Sequence, residues 1–151
     1  HDEEGRPSEN AVNRRKMMDK RLKKLEYVQV TNPILVDAPH DEPDALIVGM
    51  GSTGGTIDEA RGRLDKEGYK TNHVTVRLLH PFPTEQIKPY LEKAKKIIVV
   101  EQNATAQLAS LIKLHAGYRE KIFSVLKYDG NPFLPSDVYR ACKEHIMLVR
   151  S

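Results

Sequence analysis

Tryptophan is missing from this 151-residue chain, cysteine occurs once, and aromatic residues make up only 6% of it. The lone Cys142 excludes an internal disulfide and fits a reducing compartment. One thiolate cannot by itself hold an iron–sulfur cluster, which usually takes four. No apolar run approaches the roughly 20 residues of a membrane span, and no signal-peptide pattern appears. A cytoplasmic location with no membrane partner is therefore expected. Excess charge of one sign is scarce too: 24 Lys and Arg against 21 Asp and Glu leave +3, too mild to argue for a nucleic-acid partner.

Several chemical signatures are missing as well. His1, His40, His73, His80, His115 and His145 are scattered without metal-ligand spacing. No P-loop lysine follows the glycine cluster described below, and no G-x-S-x-G elbow surrounds Ser52. No catalytic and no metal-binding residue is expected.

What is present suits one domain: 39% hydrophobic residues in a chain long enough for a real core. The sequence begins at His1 with dense charge and no apolar pattern, which reads as a piece of something longer. Residues 1–13, with Gly5 and Pro7, read as linker. From Arg14 to Leu25 the pattern is helical, with Met18, Leu22 and Leu25 along one side. Arg14, Arg15, Lys16, Lys20, Arg21, Lys23 and Lys24 crowd this helix without interleaved aromatics. It reads as a solvated face, or as one that docks on an acidic partner surface. Tyr27–Val30 and Ile34–Val36 are β-prone, and 37–44 is a loop with two prolines. Residues 1–43 are thus expected to be linker and basic helix, and 44–151 the compact domain.

The domain is organised around Ala45–Ala60. Ala45 to Val48 form a short apolar run suited to a buried strand; glycines follow at 49, 51, 54 and 55; then Ile57, Ala60 and Leu64 take up helical spacing. Gly49, Gly51 and Gly54 match G-x-G-x-x-G, but the next strand, His73–Leu79, runs into His80-Pro81-Phe82-Pro83 without the acidic residue that would hold a ribose. The glycines read as a tight turn with close strand–helix packing. The alternative is an anion site in which backbone N–H groups of Gly51, Ser52, Thr53 and Gly54 hold a phosphate.

The alternation continues. Gly68 closes the first helix. His80 reads as a corner residue rather than an acid–base group. Thr84 is the expected N-cap of a helix with Ile87, Tyr90, Leu91 and Ala94 on one side. Lys95–Gln102 is a fully buried strand. It ends in Glu101, Gln102 and Asn103, which either face a ligand at the strand's carboxyl end or cap the following helix. That helix, Thr105–Ala116, ends at Gly117. A last strand, Ile122–Tyr128, leads through Asp129-Gly130-Asn131 to a final helix with Val138, Ala141, Cys142, His145 and Ile146 on one side. Cys142 reads as core. Strand–helix alternation predicts an α/β fold: a three-layer, Rossmann-like open sheet, mostly parallel, with helices on both faces.

The series LIVGMGSTGGTIDEA, VRLLHPFP, KKIIVVEQNATAQLASLIK and KYDGNPFLPSD resembles the C-terminal part of the alpha subunit of 2-oxoacid:ferredoxin oxidoreductases, most closely the 2-oxoglutarate type. The leading HDEEGRPSENAVNRRKMMDKRLKKLE is similar to the linker before that part. Ala106 departs from the pattern, which has glycine before Gln107. The resemblance implies a transketolase C-terminal-like domain. It implies an enzyme complex that oxidatively decarboxylates a 2-oxoacid with coenzyme A and passes electrons to ferredoxin. Thiamine diphosphate, magnesium and an iron–sulfur cluster are then expected elsewhere in the complex. The partners implied are the rest of the alpha subunit and the beta subunit. The fragment is expected to be inactive alone and to serve assembly. The alternative is a free-standing nucleotide- or anion-binding module built on the loop 49–55.

Overall fold

A computed structural model of the chain describes residues 10–26 and 29–150. It has two compact units, 1–31 and 32–151. The first contains one helix, α1, Ala11–Glu26. Most of the expected linker, and the Tyr27–Val28 part of a β-prone piece, lie outside the described residues.

The second unit is a five-stranded sheet in the order β1-β3-β2-β4-β5. Its strands are β1 Ile34–Asp37, β2 Ala45–Met50, β3 Thr71–Val76, β4 Lys96–Glu101 and β5 Ile122–Leu126. Strands β2 to β5 are parallel; β1 runs antiparallel to β3, with Ile34 opposite Val76 and Asp37 opposite His73. Ile34–Val36, β-prone by sequence but expected within the segment 1–43, is part of the sheet. The strand is short, flanked by Pro33 and Pro39, and largely exposed, which is how a free sheet edge is kept from pairing further.

The apolar run of β2 divides between two cores, because successive side chains of a strand point to opposite faces. Leu46 and Val48, with Val74, Val76, Ile97 and Val99, pack under α3 (Thr84–Lys93) and α4 (Gln107–His115) through Ile87, Leu91, Leu108 and Ile112. Ala45 and Ile47, with Ile98 and Val100, pack under α2 (Gly54–Lys66) and α5 (Pro135–Arg150) through Ile57, Leu64, Val138 and Ile146. Burial on both faces explains the unbroken apolar runs of β2 and β4. Cys142 belongs to this second core, and burial pushes its thiol up to about 12.

Element boundaries differ at the helix starts. Pro83, not Thr84, occupies the cap position of α3, and Thr84 is its first helical residue. Helix α2 opens at Gly54, inside the glycine cluster. Among the described residues no helix is long and apolar enough to cross a membrane.

Candidate functional site

From β2 the chain turns through α2 to β3 on one side; from β4 it turns through α4 to β5 on the other. The loops after these two neighbouring strands therefore diverge, and the crevice outside such carboxyl ends is where open α/β sheets hold ligands. The glycine loop and the Glu101–Ala106 loop flank this switch point. The loops after β3 and β5 extend the rim.

In the glycine loop, Gly49, Gly51 and Thr53 have definable tasks. A Cβ on Gly49 would lie 2.6 Å from both Ile57 Cδ1 and Thr53 Oγ1, so only glycine lets the strand end pass under α2. Gly51 has a φ of +62° at the turn. Thr53 is buried, and its hydroxyl donates back to the Met50 carbonyl at 2.9 Å. Gly51, Ser52 and Gly55 are exposed, and a Cβ on Gly55 would meet nothing within 4 Å. Gly54 is half-buried, with the hydroxyl of Thr75 4.0 Å from where its Cβ would lie. Turn geometry and close packing account for Gly49 and Gly51.

After β4, the two readings of Glu101 resolve into capping. Glu101 is 1% exposed, and its carboxylate accepts the backbone N–H groups of Leu108 (2.5 Å) and Ala109 (3.1 Å). Asn103 donates its amide N–H to the same carboxylate at 2.9 Å, and its own oxygen accepts from Thr105 and Gln107. These bonds satisfy orphan donors of the first turn of α4 and put negative charge where the helix dipole favours it. Ala106, at the cap position, adopts φ 50°, ψ 51°, the left-handed geometry that favours glycine. Gln102 is exposed.

The corner after β3 carries Leu79 and His80, both exposed, and the His80–Pro81 peptide is cis. Phe82 turns inward and stacks on His115, ring centres 5.3 Å apart. After β5, Tyr128 is 71% and Leu134 57% exposed, while Phe133 between them is buried. The rim thus turns Thr53, Glu101 and Asn103 onto backbone or onto one another, and exposes apolar Leu79, Tyr128 and Leu134 alongside polar Ser52, His80 and Gln102.

A polar cluster that the sequence did not reveal lies on the α2 face near the edge strand. Buried Arg61 of α2 donates to Asp37 of β1 (2.6 Å), to the Thr71 carbonyl (2.9 Å) and to the Thr71 hydroxyl (3.2 Å). Nearby, His73 pairs Nδ1 with Asp58 (2.8 Å) and Nε2 with the Thr75 hydroxyl (3.2 Å). Burial lowers the His73 pKa, opposed by Asp58, which favours the neutral ring at neutral pH, with Nδ1–H donating to Asp58 and Nε2 accepting from Thr75. The cluster ties β1, β3 and α2 together. Its members come from three elements, and no local pattern links them.

Among the described residues, no group of three or more His, Cys, Asp or Glu is placed to hold a metal ion. Comparison with known proteins agrees with the topology. Residues 43–138 match the family model for pyruvate:ferredoxin oxidoreductase core domain II. The alpha subunit of 2-oxoacid:ferredoxin oxidoreductase 2 from Aeropyrum pernix is 36% identical over 146 residues, covering 95% of this chain and 23% of that protein. The structure of 2-oxoglutarate:ferredoxin oxidoreductase from Magnetococcus marinus, with 2-oxoglutarate, coenzyme A and succinyl-CoA bound, superposes with a TM-score of 0.76 at 31% identity, over 97% of this chain and 25% of that one. A split-gene transketolase, at 17% identity and a TM-score of 0.65 over 81% of this chain and 44% of its own, shares the fold. The chain thus spans about a quarter of each of these two oxidoreductase chains.

Proposed function

The chain belongs to the pyruvate:ferredoxin oxidoreductase core domain II family, and on that premise we propose that it is the assembly domain of a 2-oxoacid:ferredoxin oxidoreductase alpha subunit. For the whole complex we propose oxidative decarboxylation of a 2-oxoacid to an acyl-CoA, with ferredoxin as electron acceptor. Among 2-oxoacids, 2-oxoglutarate is favoured by the likeness to the Magnetococcus enzyme.

The observation that carries the reading is the rim at the carboxyl ends of the strands. There Glu101, Asn103 and Thr53 bond to backbone or to one another, while Leu79, Tyr128 and Leu134 stand exposed. Three apolar side chains exposed on one rim, among polar ones such as Ser52 and Gln102, support a protein contact there. The carboxylate of Glu101, taken up by α4, is not free to hold the magnesium of thiamine diphosphate. Nor does one buried thiol suit an iron–sulfur cluster. We therefore assign these groups to other domains and to the beta subunit.

Purification of the full-length parent from its native cell tests this. A second subunit arriving with thiamine diphosphate and an iron–sulfur chromophore is expected. A lone polypeptide carrying a nucleotide would contradict the reading and favour an anion-binding module at Gly51, Ser52 and Gly54.

A further inference from the structure

Helix α1 carries two kinds of cation on two different faces. Met18, Leu22 and Leu25 form a seam at i, i+4 and i+7, and all three are substantially exposed. The three arginines border that seam: Arg14 precedes Met18 by one turn, Arg21 precedes Leu25 by one turn, and Arg15 shares the face of Leu22, seven residues on. The four lysines, Lys16, Lys20, Lys23 and Lys24, follow their own row at i, i+4, i+7 and i+8, away from the seam. Among the described residues no carboxylate pairs with Arg14, Arg15 or Arg21.

Arginine and lysine differ in what they do beside a buried contact. The guanidinium is planar, weakly hydrated and matched to a carboxylate through two parallel hydrogen bonds; the ammonium is strongly hydrated and is depleted at protein interfaces. Arginines at the margins of an apolar seam, with lysines on the far side, therefore describe a helix laid into a protein groove. A nucleic acid would be met by the cations together, with aromatic side chains among them, and this helix has no aromatic residue. An interfacial membrane helix needs a broad apolar face, which a seam of three side chains does not provide.

We propose that α1 docks through Met18, Leu22 and Leu25 into an apolar groove of a protein in the same complex, with Asp or Glu side chains along the groove's borders meeting Arg14, Arg15 and Arg21. This rests on the assembly reading given above and names the chemistry of one contact within it.

The test places a photoreactive benzoylphenylalanine at Leu22 of the full-length subunit within the purified complex. The expected result is a crosslink to a single protein segment that carries carboxylates within reach of the arginines. The triple change Arg14→Glu, Arg15→Glu, Arg21→Glu is expected to lower crosslink yield about tenfold, as loss of a charge-assisted contact does, while Lys20→Glu, Lys23→Glu, Lys24→Glu leaves it within about twofold. Crosslinks to lipid or nucleic acid, no crosslink in an assembled complex, or equal effects of the two triple changes would overturn the docking helix and leave the assembly reading standing. Failure to find any complex around the unaltered subunit would overturn both.

Discussion

Glu101 Oε1 lies 2.5 Å from the backbone nitrogen of Leu108, so the last residue of β4 caps the helix that follows it. A buried carboxylate satisfied by two backbone N–H groups and the Asn103 amide is a structural element, not a free base. Glu101→Gln puts an amide N–H against one of those donors. The change should lower stability by about 1–3 kcal/mol and reduce assembly in the intact enzyme, read by urea denaturation and native mass spectrometry. Turnover per assembled complex should stay unchanged. A large loss of turnover in a stable, fully assembled variant would contradict the capping role.

Ala106→Gly should stabilise the domain. The left-handed geometry costs a non-glycine residue about 1–2 kcal/mol, and glycine's greater freedom in the unfolded chain returns about half of that. Ala106 also packs partly against the core, so the net gain should stay under about 1 kcal/mol. Ala106→Val should go the other way. Urea midpoints of the three proteins check the order.

Gly49 and Gly55 should respond oppositely to alanine. Gly49→Ala forces a methyl against Ile57 and Thr53 and should cost about 1–3 kcal/mol by overpacking. Gly55→Ala enters open space on α2 and should be neutral or stabilising by up to about 1 kcal/mol. Equal losses at both positions would show that the loop's glycines serve something other than turn and packing.

His73 should make the fold sensitive to mild acid. Its folded pKa is lowered by burial, so below the ordinary histidine value of about 6.5 the unfolded chain binds more protons than the folded one. Stability should be full above that pH and fall as pH drops through it. His145, lowered chiefly by burial and then by Lys96, acts in the same direction. His73→Gln should therefore flatten, without abolishing, the decline between about pH 7 and pH 5 in denaturation midpoints.

The alternation of strands and helices was legible because each central strand is buried on both faces and each helix on one, which leaves unbroken apolar runs beside 3.6-residue periods. Gly49 and Gly51 were legible for a related reason: a tight turn and close strand–helix packing select glycine. The left-handed geometry of Ala106 was not legible in the sequence, where it stood only as a departure from the family's glycine. Strand β1 was legible as the β-prone piece Ile34–Val36, but its place in the sheet was not, since it is short, exposed and paired with residues some forty positions on. The Arg61–Asp37 and His73–Asp58 contacts were hidden because they join β1, α2 and β3 only after folding. The cap from Glu101 to Leu108 was half legible. The polar end of β4 was plain, but its partner was not. Tyr128 read as the end of the last strand and Leu134 carried no reading, and only the fold puts them on the same rim as the glycine loop.

The rim itself gives the most direct measurement. Tyr128→Asp combined with Leu134→Asp changes two exposed side chains that the folded domain does not need, in the full-length subunit expressed with its partners. Native mass spectrometry should show a folded subunit that fails to assemble, with any complex that still forms turning over normally. Assembly at the unaltered level, with or without loss of turnover, would contradict an assembly role for this surface.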